Sequence, residues 1–175
     1  MALLTASSRR DVDPQSYPLS LYIVVPLLAI GLQSFVTLHF SRFSILDLPL
    51  LVTIYFATLS RSPIAATLMG TFVGLSQDAL THRPIGVNGI ANAVIGYIAA
   101  SLGIKLDIEN HLARVLLCFV FTLLHSAIFL LITSRVLALE VDWSWLHELI
   151  RGVVNALAGV GLFALLDLAK RRGWR

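Results

Sequence analysis

The sequence predicts an all-α, polytopic integral membrane protein with about six transmembrane helices, and three observations predict it. Apolar residues make up 57% of the 175 positions and charged residues only 13%, well under the share a soluble domain carries, and the mean hydropathy is +0.84. The apolar residues are gathered into blocks of roughly 18 to 25 residues, the length a helix needs to cross a hydrocarbon core about 30 Å thick. Lys and Arg fall between or at the ends of these blocks and are shared unevenly between the two faces that six crossings create.

Residues 1–18 are polar, contain Arg9 and Arg10 and end in DVDPQSYP, which reads as a cytoplasmic tail. The first apolar block, Leu19 to Phe40, is too long for a secretory signal and has no small-residue cleavage site, so it is a retained span with a kink expected at Pro26. A second block follows Asp47 and ends before Arg61. Its 13 residues LPLLVTIYFATLS rise only about 20 Å, so the span is expected to start earlier, near Phe43, or to cross thinned bilayer. Pro49 lies in the first turn, where proline is tolerated, and Asp47 is placed to cap it. The third span runs from Ser62 to Leu80, the fourth from Val87 to Leu106 and, after the charged loop KLDIENHLAR, the fifth from Ala113 to Leu139. Glu140 to His147 is polar but carries Trp143 and Trp145, as expected in the headgroup layer. The sixth span, Leu149 to Leu168, precedes Lys170, Arg171, Arg172 and Arg175. The expected organisation is thus a tail at 1–18, a six-helix domain at 19–169 and a basic cytoplasmic tail at 170–175.

Six spans place both termini on one side. That side holds nine Lys and Arg residues and the other holds four (Arg42, Arg83, Arg135, Arg151), which puts both termini in the cytoplasm. The basic residues thereby find a use in orientation, and no nucleic-acid partner is implied.

The most informative stretch is Pro63 to Gly103. In the third span Ala66, Gly70, Gly74, Gln77 and Asp78 share one helical face, small at its start and polar at its end. In the fourth, Gly89, Ala93, Gly96, Ala100 and Gly103 repeat at steps of four and three, a seam a neighbouring backbone can approach. With Gly152, Ala156 and Gly159 on the sixth span, the small-residue seams exceed what one internal contact requires, which predicts one left over for a partner. Between spans three and four, Pro84 and Gly86 make a tight turn. Asp78 at its edge is read as an acceptor for the backbone N–H groups of Gly86 to Gly89, with ion or substrate binding as the competing role, and Asn88 is a second candidate cap.

Candidates for chemistry are few. His125 shares a face with Cys118, Thr122, Ser126 and Phe129, and its expected role is a hydrogen bond to another helix, for which Gln33, Asn92 and Asn155 are available by type, with proton relay as the competing role. One cysteine excludes a disulfide framework, and neither a phosphate loop nor a nucleophile with its base appears. No catalytic residue, metal or cofactor is expected.

Asp47 and Pro49 opening the second span, the Gly-rich third span ending in Gln77-Asp78, and Pro84-Ile85-Gly86-Val87-Asn88 leading into a span with Gly96-Tyr97 carry a resemblance. The chain resembles the MreD family of the bacterial rod-shape system, over nearly its whole length in span number and basic C-terminus. The resemblance implies a non-enzymatic scaffold of the inner membrane that binds the bitopic protein MreC. It also implies work alongside the actin-like MreB, the glycosyltransferase RodA and a class B penicillin-binding protein in lateral peptidoglycan synthesis. The family is also similar in fold to the substrate-binding subunits of energy-coupling factor transporters, which supplies the alternative of a vitamin-binding subunit. Its outward pocket would draw on Asp78, Asn88, Trp143, Trp145 and His147.

Overall fold

A computed structural model describes residues 19–39, 45–60, 62–81, 84–103, 110–140 and 143–172. The tail at 1–18, Phe40, Arg42, Phe43, Arg61, Arg83, Lys105, Leu106 and Arg175 lie outside the described residues. The described residues form six α-helices: α1 (Leu19–His39), α2 (Leu48–Leu59), α3 (Pro63–Thr81), α4 (Val87–Gly103), α5 (His111–Leu131) and α6 (Trp145–Arg172). Two of them, α5 with the turn that extends it (His111–Val136) and α6 (Trp145–Ala169), are long and apolar enough to cross a membrane by length and composition.

The bundle is organised around α2, which packs on all five other helices and has every residue from Pro49 to Thr58 buried. Its start is set by chemistry at Asp47, whose backbone (φ −125°, ψ 78°) is not helical and whose carboxylate accepts the Leu50 N–H at 3.2 Å. The helix therefore begins at Leu48, not nearer Phe43, and spans about 18 Å. Its shortness has a reason the sequence hid: neighbouring helices surround it, so its length need not match a hydrocarbon layer. Leu50, Leu51, Ile54 and Phe56 meet Ile95 and Ala99 of α4, Cys118 and Phe121 of α5, and Phe163 of α6 in one core. Tyr55 sits edge-on to Phe163 at 5.0 Å and Tyr22 of α1 lies 4.8 Å from Phe56.

The most extensive contact joins α3 to α4. A Cβ at Gly70 would lie 2.3 Å from the Asn92 carbonyl oxygen, one at Gly74 2.3 Å from that of Asn88, and one at Gly96 2.5 Å from that of Ala66. These are backbone-on-backbone contacts, which glycine permits and any side chain forbids. Gly103 meets Thr58 of α2 in the same way, while Gly152 and Gly159 face Phe119 and Cys118 of α5. All three small-residue seams are thus used inside the bundle, and the expectation that one is left for a partner is corrected.

Helix α5 ends earlier than Leu139. After Leu131 the chain makes a π-helical turn (Ile132–Val136) that closes with Leu137 N–H on Ile132 C=O and Leu139 N–H on Thr133 C=O, both at 3.1 Å, and Ala138 takes a positive φ of 50°. Helix α6 is longer than the sixth span read from the sequence, opening at Trp145 and continuing to Arg172, so the residues at 170–172 are helical. α1 continues through Pro26.

Along the helices most exposed positions are apolar, among them Leu28, Ile64, Leu68, Phe72, Tyr97, Leu116, Leu157 and Leu165, while exposed polar residues such as His111, Arg135 and His147 lie at helix ends. Other polar residues go inside: Gln33, Asp47, Gln77, Asp78, Asn88, Asn92, Arg114, His125 and Asn155 are all buried. That inversion is the arrangement expected where the surrounding medium is hydrocarbon.

Candidate functional site at the polar end of the bundle

Alternating helix direction brings the end of α1, the start of α2, the end of α3, the start of α4, the end of α5 and the start of α6 to one end of the bundle. Two buried polar centres lie there.

The first is built on Asp47. One carboxylate oxygen accepts the Leu50 N–H and, at 3.3 Å, the Gln77 side-chain N–H of α3; the other pairs with Arg151 Nη2 of α6 at 2.8 Å. Asn155, one turn beyond Arg151, accepts the Asp47 backbone N–H at 2.8 Å and donates to the Ile45 carbonyl at 2.9 Å. From the other side Gln33 of α1 donates to Leu46 C=O at 2.7 Å and accepts Leu48 N–H at 3.2 Å. Arg151 Nη1 reaches Ser126 Oγ of α5 at 3.3 Å and lies 3.8 Å from Glu148 Oε2. Side chains from α1, α3, α5 and α6 thus converge on the N-terminus of α2. The N–H groups there have no partners within their own helix, and the positive end of its dipole favours the Asp47 charge.

The second centre is Asp78, fully buried at the end of α3. It accepts the backbone N–H groups of Gly86 (2.9 Å), Asn88 (3.1 Å) and Gly89 (3.4 Å), and Asn88 Nδ2 donates to its other oxygen at 2.7 Å. Asp78 therefore caps α4 from another helix, and Asn88 supports that carboxylate without being the cap itself. Gly86, at φ +106°, provides the left-handed backbone that turns the chain, with Ile90 N–H returning to its carbonyl at 2.8 Å. Pro84 C=O takes the Val87 N–H at 3.4 Å. Replacing Asp78 by Asn keeps one acceptor for these donors and is expected to cost about 1–2 kcal/mol. Asp78→Leu strands them all and is expected to cost more than about 3 kcal/mol. Thermal unfolding of the two purified variants in detergent checks the order.

The structure thus brings Asp47 and Gln77 together, and separately Asp78, Gly86 and Asn88, while Gly70, Gly74 and Gly96 serve the seam behind them. Gln33 and Asn155, weighed as partners of the buried His125, are committed to the start of α2 instead. The sequence reading missed the roles of Arg151, used there only in the orientation count, and of Glu148. It also missed an ion pair at the opposite end, where Arg114 meets Asp167 at 2.7 Å, over the Phe163 ring, and Tyr55 donates to Asp167 at 2.7 Å. The available signal was opposite charge at matching ends of spans two and six, and of spans five and six.

Beside the Asp47 centre, a groove of about 410 Å³ separates the end of α5 from the start of α6, lined by Leu130, Ser134, Arg135, Trp143, Trp145 and Glu148 among others. His147 is exposed and does not line it. Among the described residues no three His, Cys, Asp or Glu side chains are grouped to hold a metal ion.

No curated protein and no solved structure matches this sequence. The family model for rod shape-determining protein MreD matches residues 15–166, a region that takes in the Asp47 and Asp78 centres, the α3–α4 seam and the groove. A match over most of the length makes this chain a member of the MreD family of rod shape-determining membrane proteins.

Proposed function

We propose that the chain is a non-enzymatic, six-span scaffold of the rod complex, with both termini cytoplasmic. On this reading it binds MreC directly and, through MreC, supports MreB, RodA and a class B penicillin-binding protein in lateral peptidoglycan synthesis. The observation that carries the reading is how the polar groups are used: the Asp47 and Asp78 carboxylates are engaged by backbone N–H groups, amides and Arg151, an arrangement suited to holding helices together. Arg114 and Arg151 are both in ion pairs, and setting them aside leaves the basic residues at eight to three, which still favours cytoplasmic termini. The polar end then faces outward.

With the seams spent internally, a single-span partner meets the bundle on an outward face. The helical glycines with nothing within 4 Å of an added Cβ are Gly31 on α1 and Gly161 on α6, flanked by exposed Leu27, Leu28, Leu157 and Leu165. Association inside a bilayer depends on close packing, so these are the positions at which a bulky side chain holds MreC off. Gly31→Leu and Gly161→Leu are both expected to accumulate normally, with one of them losing MreC in detergent pull-downs. Failure of MreC to co-purify with the unaltered chain would remove the reading.

The alternative, a vitamin-binding subunit, draws support from the groove with Trp143 and Trp145. Asp78 and Asn88, which its pocket would also need, are engaged in the α3–α4 turn.

A further inference from the structure

We propose that the groove between α5 and α6 holds one zwitterionic phospholipid of the phosphoethanolamine type. Its ammonium sits on Glu148, its phosphate on Arg135 and Trp143, and one acyl chain lies along Leu130 and Leu149. The inference rests on the membrane reading above, with the polar end at the bilayer–water boundary.

At about 410 Å³ the groove is in the size range of small-molecule sites, and its walls are mostly apolar, with leucines, Ala127 and two tryptophans. Two of its lining residues carry buried polar atoms with hydrogen-bonding capacity to spare. Trp143 Nε1 is a donor without an acceptor, and Glu148 Oε2 makes no hydrogen bond. Arg151 does not fill that need, because at 3.8 Å it stands beyond hydrogen-bond range of Glu148 while its other nitrogen is held by Asp47 at 2.8 Å. Unmet groups in a buried setting are costly, and a native site that contains them is suited to a ligand that meets them.

The charges select the ligand. Glu148 and the exposed Arg135 put both signs beside one apolar trough, complementary to a head group that carries both signs on an attached chain. An anionic head such as phosphoglycerol brings no cation to Glu148. A phosphocholine head brings the cation but no N–H to donate, so Glu148 Oε2 stays without a hydrogen bond. Phosphoethanolamine supplies ammonium donors to Glu148 and phosphate oxygens to Arg135 and the indole N–H.

The test is native mass spectrometry of the full-length chain in detergent, offered equal amounts of phosphatidylethanolamine, phosphatidylcholine and phosphatidylglycerol with the same acyl chains. One bound phosphatidylethanolamine is expected, preferred by about tenfold, the discrimination one charge-assisted hydrogen bond supports. Glu148→Gln should bring the three lipids to parity without abolishing binding, and Arg135→Ala should weaken all three alike. Leu130→Trp, which fills the trough, should release the lipid. Ala127→Phe at the exposed mouth serves the same purpose if the Leu130 variant fails to elute as a single folded species. Absence of head-group preference in the unaltered chain means surrounding lipid only and overturns the proposal. So does a preference that survives Glu148→Gln, or a folded trough-filling variant that keeps its lipid. MreC retention read on the same preparations keeps failure here separate from failure of the scaffold reading.

Discussion

Gly74→Leu is expected to abolish accumulation of the protein, and Gly74→Ala to cost about 3 kcal/mol, the upper part of the range for overpacking a close-packed interior. A Cβ there would sit 2.3 Å from the Asn88 carbonyl oxygen and 2.6 Å from the Gly89 nitrogen, so no rotamer change relieves it. Relief requires α3 and α4 to move apart. That movement pulls Asp78, one turn further along, away from the three N–H groups it caps. Seam and cap fail together, which is why the expected effect exceeds that of either alone. Gly161→Ala is the control: its Cβ meets nothing within 4 Å, and exchanging glycine for alanine in an exposed helix gains up to about 1 kcal/mol. In-gel fluorescence of C-terminal fusions reports accumulation, and melting of the purified alanine variants reports the energies.

Removing the guanidinium of Arg151 is expected to produce the second large loss, about 3–5 kcal/mol for Arg151→Met, because it leaves the Asp47 carboxylate buried without its cation. Adding Asp47→Asn to Arg151→Met should recover much of it. The amide oxygen still caps Leu50 and the buried charge at residue 47 is gone, so what remains of the loss is the Glu148 carboxylate 3.8 Å from the former guanidinium. A double-mutant cycle on melting curves measures the coupling, and a coupling near zero would show that the pair does not hold α6 to α2.

The contrast between these two sites shows what the sequence made legible. Helix positions were readable because apolar runs, Pro49 and Asp47 mark boundaries locally. The α3–α4 unit was readable because Gly70, Gly74, Gly89, Gly96 and Asp78 belong to one hairpin, where adjacency in the chain predicts adjacency in space. The Asp47–Arg151 pair was not, because 104 positions separate its members and no periodicity within α2 or α6 says which helices are neighbours. Arg151 lay in the first turn of the span read from Leu149 and served there only in the orientation count, and the true start of α6 at Trp145 places it a turn and a half inside. The early end of α5 was hidden for another reason. Val136 to Leu139 resumes an apolar run after Thr133, Ser134 and Arg135, and those three residues do not by themselves announce a π-helical turn.

The burial of α2 on every side bears on how the chain is made. On the six-span reading proposed above, a helix made before its neighbours α4, α5 and α6 enters the bilayer with Thr53, Thr58 and Tyr55 facing lipid. Its N-terminal carboxylate still lacks Arg151. Twelve residues insert weakly by themselves, and the contacts that hold them arrive last, from the opposite end of the chain. On that reading assembly passes through a stage in which α2 is covered only by α1 and the α3–α4 hairpin. That stage closes only when α6 delivers Arg151 and Asn155 to one end of α2 and Asp167 to the other.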